Sequence, residues 1–572
     1  MDKSVVMDGG EAILQACRDM NMDYIFSSPG SDWGSVWEAL GRQKLNGVKG
    51  PAYLSCGHET LAVNIATGYT LMTGRMQAVL LHAGVGLMQG SVGIYGARLN
   101  ELPMVIMSGE SSSYGDQEDF DPGAQWYTNH NVMGGMPRVI DSVVKWAQQA
   151  PSSANIYEMV QRSGEIALST PPGPTYLDVP IEIMMGRWVQ PAKMREIPAP
   201  AKVRPTDDEI QKVLAMILAA KNPIITAGYS GRTVEGYNAL VELCETLALP
   251  CVDSAAGDST NFPKDHPLYQ GNESGALLKE TDLLLVARSR NPWYPPNMGP
   301  IHAKVVLIDE SPFKLPMAYQ NLQADAFLGG DVTISLKLLA EAARAAKPDP
   351  AKLAERKARW SAAHDKLMQR YRVTEADARA KPGIHPINLC ATLAECLPAD
   401  TIYLDETTVH GALNKRHVGH KGPQSFVSLR SGLGQGLGLA LGIKLARPKQ
   451  PVVVLIGDGA FLYNPAVQCF GFARDEKLPI MAVVYNNNGY RAMRENQSSY
   501  YPEGAGVKHK LFFGEPINGF AFEELPKLFG GVGFKVDTPD ALKAALRDGA
   551  KAMAEGKSVV INVILSEMSG RG

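Results

Sequence analysis

An α/β protein of three parallel-sheet domains is predicted by short runs that are apolar throughout, helical patterns between them, and a length beyond one hydrophobic core. The runs are Tyr24–Phe26, Ala78–Leu81, Met104–Met107, Ile224–Thr226, Leu283–Val286, Val305–Ile308, Val452–Ile456 and Ile480–Val484, each flanked by turn residues. Strands without polar alternation are covered on both faces, as in parallel sheets with helices on either side. Residues 209–220 and 539–555 carry the intervening helical pattern. At ~100 to 200 residues per domain, 572 residues make about three domains.

Two breaks divide the chain. Residues 189–205 (VQPAKMREIPAPAKVRP) are rich in Pro, Ala and Lys without an apolar period, the pattern of an exposed linker. The second break, 347–386, opens with KPDP, continues as a charged helical stretch and closes with KPGIHP. The domains are therefore 1–188, 206–346 and 387–572, and the similar sizes of the outer two predict two versions of one sheet design. A formal net charge of −3 supplies no general field for nucleic acid or an anionic membrane and points to small molecules as partners. Seven cysteines, with no CxxC pair and no zinc spacing, fit a reducing cytoplasm. The first residues lack the pattern of a signal peptide. Residues 76–97 contain no Asp, Glu, Lys or Arg, but five glycines, two glutamines, Ser91 and His82 interrupt them, so a buried strand and a glycine-rich turn are expected rather than a membrane span.

The chemistry concentrates in residues 451–490, PVVVLIGDGAFLYNPAVQCFGFARDEKLPIMAVVYNNNGY, read as strand, GDG turn, helix, strand and Asn-rich turn. In a parallel βαβ unit both turns fall at the carboxyl edge of the sheet, where open α/β folds bind ligands. Asp458, Asn487 and the carbonyl of Gly489 then form a hard but incomplete oxygen set. Mg²⁺ prefers about six such oxygens and takes the remainder from water and phosphate, so a phosphorylated ligand is implied, with the Gly459 and Ala460 N–H groups near it. Either turn alone is more often a plain turn; the pair behind two buried strands is not. No GxGxxG follows a strand and no GxxxxGK[ST] occurs, which disfavours nicotinamide and Walker-type sites.

At these residues the sequence resembles the thiamine-diphosphate enzymes, whose signature is GDG followed after a helix and strand by NN. The resemblance implies thiamine diphosphate and Mg²⁺ as cofactors, with Asp458, Asn487 and Gly489 holding the metal. SLRSGLGQGLGLALG (428–442) is similar to the segment that props the cofactor in its bent form, which implies Leu433 as the prop and the Ser431 carbonyl as partner of the 4′-amino group. LDETTVHG places Thr407, Thr408 and His410 where the family keeps diphosphate contacts, a position that plain turn or capping residues also occupy. In LSCGHETLAVNIATGYTLMTG, Glu59 matches the activating glutamate, in an apolar site beside the aminopyrimidine ring. A glutamate opening a helix is also common for its favourable dipole interaction alone.

Ser31 in FSSPGSDWG and His82 in VLLHAGVG resemble the pair in benzoylformate decarboxylase, which implies a serine on the substrate carboxylate and a histidine relaying protons; a lone buried histidine also occurs as plain structure. Gln125, in a long loop at 114–136, stands as a candidate for the active-site glutamine of some carboligases. The stretch 287–300 departs from the family: it offers Asn291, Trp293 and Tyr294 where the decarboxylase's second histidine is sought, and lacks the Arg-Phe-Asp-Asp-Arg run of acetolactate synthases. The resemblance implies a lyase that decarboxylates a 2-oxo acid non-oxidatively, with carboligase or lyase activity on a 2-hydroxy ketone. The alternative is an acetolactate-synthase-type transferase. Because the family's cofactor lies between two chains, it also implies a homodimer or homotetramer.

Overall fold

Each of those apolar runs forms a strand, with bounds shifted by up to three residues. The computed structural model describes residues 7–113, 121–128, 135–194, 197–255, 257–290, 292–293, 299, 302–314, 317, 323–428, 432–517 and 519–566; the side chains of 127 and 128 are outside it. Strands β1 (Tyr24–Ser27), β2 (Ala52–Ser55), β3 (Gln77–Leu81), β4 (Met104–Glu110), β5 (Ala147–Gln149) and β6 (Pro174–Pro180) make a first sheet of order β2-β1-β3-β4-β6-β5. A middle sheet, β11-β10-β9-β7-β8, contains β7 (Pro223–Ala227), β8 (Cys251–Asp253), β9 (Leu283–Ala287), β10 (Lys304–Asp309) and β11 (Ala326–Gly329). The third, β13-β12-β14-β15-β17-β16, contains β12 (Ile402–Glu406), β13 (Phe426–Val427), β14 (Val452–Gly457), β15 (Met481–Asn486), β16 (Val532–Val536) and β17 (Val559–Ile564). All ladders between these strands are parallel.

The first and third sheets have the same strand order, as the expectation of one repeated design requires. His82 after β3 and Asp458 after β14 consequently occupy the same topological position, as do Ser31 after β1 and the Thr407–His410 turn after β12. Central strands such as β3 and β14 are apolar because helices cover both faces. Edge strands β2 and β5 each leave two residues exposed. Residues 76–97 resolve into β3 and the 15-residue helix Val85–Leu99, and among the described residues no helix is long and apolar enough to cross a membrane.

The Pro350–Ala380 helix realises the expected helical linker but is docked along part of its length. Trp360 joins the middle-domain core, and His364 Nδ1 lies 3.0 Å from the Tyr269 carbonyl oxygen. Further on, Lys415 donates from Nζ to Asp253 Oδ1 at 2.7 Å and to the carbonyls of Ser254 and Ser259 at 2.9 Å. A buried ammonium so fully bonded ties the helix after β12 to the end of β8.

Packing groups the chain differently from its order. Residues 1–200, 430–448 and 462–478 form one compact unit; 201–429, 449–461 and 479–572 form the other. Within the first, the Gly436–Ala446 helix lies against the Glu59–Thr73 helix through glycine. A Cβ at Gly68 would overlap the Leu439 carbonyl oxygen, and one at Gly442 would overlap that of Ile65. Backbone cannot retreat as a side-chain tip can, so Gly68→Ala is expected to destabilise this unit by about 1–3 kcal/mol, the usual cost of overpacking. Calorimetry would show a lowered thermal midpoint; an unchanged one would mean that the helices separate freely.

Candidate active site

At the carboxyl edge of the third sheet, Gly457 ends β14 and Asp458 opens the Asp458–Tyr463 helix, so the expected GDG turn is a direct strand-to-helix junction. Asp458 is 3% exposed, with Oδ1 accepting the Gly459 N–H at 2.8 Å and Oδ2 accepting those of Asn487 at 3.2 Å and Gly489 at 3.1 Å. Burial pushes its carboxyl above the ordinary value, and these backbone donors pull it back. Of the three asparagines, Asn486 is committed to the sheet: Nδ2 donates to Asn562 Oδ1 at 2.9 Å and Oδ1 accepts the Asn488 N–H at 2.9 Å. Asn488 makes the turn at φ 57°. That leaves Asn487, whose side chain makes no hydrogen bond among the described residues, beside Asp458. The Gly489 carbonyl accepts the Arg491 N–H at 2.9 Å and keeps a second lone pair.

The turn after β12 divides its roles. Thr407 Oγ1 donates to Asp405 Oδ1 at 2.7 Å and accepts from Asn414 Nδ2 at 2.9 Å, so its hydroxyl proton belongs to a buried network rather than to a ligand. This modifies the expectation of a diphosphate contact, as does Gly459, whose N–H turns onto Asp458. Thr408 is exposed. His410 is buried against Tyr485, with ring centroids 5.5 Å apart, and its Nε2 has no partner among the described residues. Burial, then the charges of Arg491 and His385, push its imidazole down to about 4, leaving it neutral near pH 7. Ala460 is buried in the helix start.

In the other unit, Glu59 begins its helix half-buried, and the facing Val85–Leu99 helix meets it with glycines. A Cβ at Gly86 would stand 3.3 Å from Glu59 Oε1, and one at Gly90 3.6 Å from its Cβ and 3.7 Å from Val63 Cγ2. Ser31 is exposed at the start of the 3₁₀ helix Ser31–Trp33, which Trp33 anchors by donating from Nε1 to the Leu81 carbonyl at 2.9 Å. His82 follows directly. Its Nδ1 lies 2.9 Å from Asp32 Oδ1, a residue that the sequence reading passed over. This hydrogen bond raises the His82 imidazole above its ordinary value, burial opposes it, and the charges of Asp32 and Glu59 add to the rise.

Trp126 stands edge-on to the His82 ring at 5.9 Å. Its neighbour Gln125 is exposed on the short helix Ala124–Thr128, so from this loop it is the indole that meets the histidine. Leu433 is half-buried in the same unit, next to Gly434, whose carbonyl accepts from Asn64 Nδ2 at 3.4 Å. Ser431, Asn291 and Tyr294 lie outside the described residues; Trp293 packs partly buried on the middle-domain core.

Two like-wound sheets with polar residues after corresponding strands, and a third parallel sheet, make a three-domain α/β architecture of the class that binds ligands at the carboxyl edges of its sheets. The chain belongs to the thiamine pyrophosphate enzyme family: the N-terminal TPP binding domain matches residues 7–133, the central domain 210–339 and the C-terminal TPP binding domain 407–563. The acetolactate synthase large subunit of Haemophilus influenzae is 25% identical, over 98% of this chain and 95% of the relative. The isozyme 2 large subunit of Escherichia coli is 24% identical, over 87% and 86%. Among solved structures, the thiamine diphosphate-dependent 4-hydroxybenzoylformate decarboxylase of Rhodococcus jostii RHA1 shares the fold at TM-score 0.79 and 20% identity, covering 99% of this chain and 100% of that one. Benzoylformate decarboxylase of Polynucleobacter necessarius does so at TM-score 0.78 and 20% identity, covering 98% and 100%.

Proposed function

We propose that this enzyme uses thiamine diphosphate and Mg²⁺ to cleave or form carbon–carbon bonds, and that its reaction is non-oxidative decarboxylation of a 2-oxo acid, with carboligase or lyase activity on 2-hydroxy ketones. The observation that carries the metal site is the buried Asp458 carboxylate beside the unbonded Asn487 amide: an anion pushed up by burial, in a set of hard oxygens, fits a Mg²⁺–diphosphate partner. His410, buried with an unpartnered Nε2, fits an anionic group as a neutral donor. When bound, the cofactor supplies the carbanion and the electron sink that this chemistry needs.

The residues around it divide the remaining work. Asp458, Asn487 and the Gly489 carbonyl would hold the metal, Leu433 and the carbonyl of Ser431, which lies outside the described residues, would seat the cofactor, and Ala460 would stand nearest its diphosphate, since the Gly459 N–H is taken by Asp458. Glu59 would face the ring nitrogen N1′ and exchange a proton with it. Ser31 Oγ donates to the substrate carboxylate, and His82 Nε2 delivers a proton to the product carbon. Gln125, exposed as it is, is the weakest member of the set.

Self-association to a dimer or tetramer is part of this reading. The Val85–Leu99 helix turns its glycines to Glu59 and leaves Val85, Met88, Val92 and Tyr95 exposed, a stripe suited to a second copy of the chain. Seven free cysteines agree with a cytoplasmic setting. A second reading, acetolactate-synthase-type carboligation, is favoured by the near full-length match to acetolactate synthases.

Turnover of aliphatic and aromatic 2-oxo acids by the full chain with Mg²⁺ and thiamine diphosphate, following both CO₂ and carbon products, tests the proposal. CO₂ with an aldehyde is expected. CO₂ with a coupled 2-hydroxy-2-alkyl oxo acid as the main product establishes the second reading, and bound cofactor without CO₂ from any member overturns decarboxylation and points to a substrate cleaved without it, such as a 2-hydroxy ketone.

A further inference from the structure

Asp32 is 1% exposed and fully occupied. Oδ1 meets His82 Nδ1 at 2.9 Å, while Oδ2 accepts the backbone N–H of Ala83 at 3.1 Å and of Gly109 at 3.0 Å. One side chain thus brackets the turn after β1, the end of β3 and the body of β4. Two glycines make room for it: a Cβ at Gly30 would overlap both Asp32 Oδ1 and His82 Nδ1, and one at Gly109 would overlap Asp32 Oδ2. Trp126 closes on the imidazole edge-on. Among the described residues, the charged groups facing His82 are Asp32, from the 3₁₀ helix, and Glu59, from its own helix.

Burying a carboxylate is costly, and a neutral side chain would accept the same two backbone N–H groups at less cost. What the carboxylate adds lies on the imidazole. A hydrogen bond from Nδ1–H to an anion fixes the tautomer and ring plane and supports the protonated form, leaving Nε2 as the nitrogen that exchanges a proton.

We propose that Asp32 is a positioning residue that acts through His82, holding Nδ1 protonated and presenting Nε2 to the substrate. This rests on the proton role given to His82 under the proposed function, but the coupling itself is measurable without turnover. Full-chain protein labelled with ¹⁵N-histidine is titrated by NMR, native and Asp32→Asn, with His82 identified by the signals lost in His82→Gln.

In the native protein His82 is expected to titrate above the unperturbed imidazole value of about 6.5, with Nδ1 protonated in its neutral form. In Asp32→Asn it is expected to titrate lower and to move its neutral proton to Nε2. In turnover, kcat is expected to fall at least tenfold with KM little changed, and by no more than the roughly 10²- to 10⁴-fold worth of the acid–base group it positions. The pH limb that His82 governs should move to lower pH by the shift seen in the NMR. If Asp32→Asn does not fold, Asp32→Ser keeps a neutral acceptor in a smaller side chain and serves the same comparison. An unmoved His82 titration overturns the proposal whatever the reaction, as does a moved titration with an unmoved pH profile. Native-like turnover by His82→Gln would remove the proton role itself while leaving the NMR coupling intact, which separates the two failures.

Discussion

Glu59→Gln is expected to bind Mg²⁺ and thiamine diphosphate like the native enzyme while losing roughly 10²- to 10⁴-fold in kcat, the range for a positioned proton-transfer group. The amide keeps the shape that fits against Gly86 and Gly90, so the helix start and its packing persist. It cannot exchange a proton with a ring nitrogen at neutral pH. A purely structural role predicts another result: a negative charge in the first turn of a helix is worth ~0.3–1 kcal/mol. The kinetic loss corresponds to about 3–5 kcal/mol in the barrier, well beyond that interaction. Isothermal titration with the cofactor, paired with steady-state kinetics, separates the two, and undiminished turnover would remove Glu59 from the mechanism.

Asp458→Ala is expected to lose the cofactor itself. In the proposed site the carboxylate is the charged metal ligand, and it accepts the N–H groups of Gly459, Asn487 and Gly489, so its removal leaves an amide-lined gap where Mg²⁺ would sit. Added cofactor at about 100-fold its native Kd should raise native stability by ~2.7 kcal/mol and that of the variant by nothing. Asp458→Asn sharpens the comparison: its amide oxygen still accepts backbone N–H groups, so its stability without cofactor should stay closer to native while the cofactor-dependent increment vanishes. A thermal shift of native size in either variant would place the metal elsewhere.

The layered fold was legible because its central strands are apolar on both faces, a pattern that only cover by helices explains. GDG and the asparagine run were legible because adjacent parallel strands carry their following turns to one edge. Asp32 was not. It is a single acid in a turn, and its partners His82 and Gly109 come from 50 and 77 residues away, a convergence that no local pattern carries. Trp126 escaped notice for the same reason, while Gln125 beside it attracted attention by residue type and proved exposed. Thr407 shows a subtler limit: the sequence offered a hydroxyl in the right turn but not Asp405 and Asn414, which take up its hydrogen-bonding capacity. Nor does composition say which helix the glycine-rich 436–446 segment meets, since glycine permits close approach to many surfaces.

That glycine seam has a consequence for recombination. Exchanging residues 1–200 for those of a relative would cut through a compact unit, because residues 430–448 and 462–478 belong to the same body. Two backbones packed without intervening Cβ atoms at Gly68 and Gly442 tolerate little drift in sequence on either side. A viable chimera would therefore inherit three discontinuous stretches together, and natural variation at Gly68 should be tied to variation around Leu439 more tightly than to that of its neighbours in the chain.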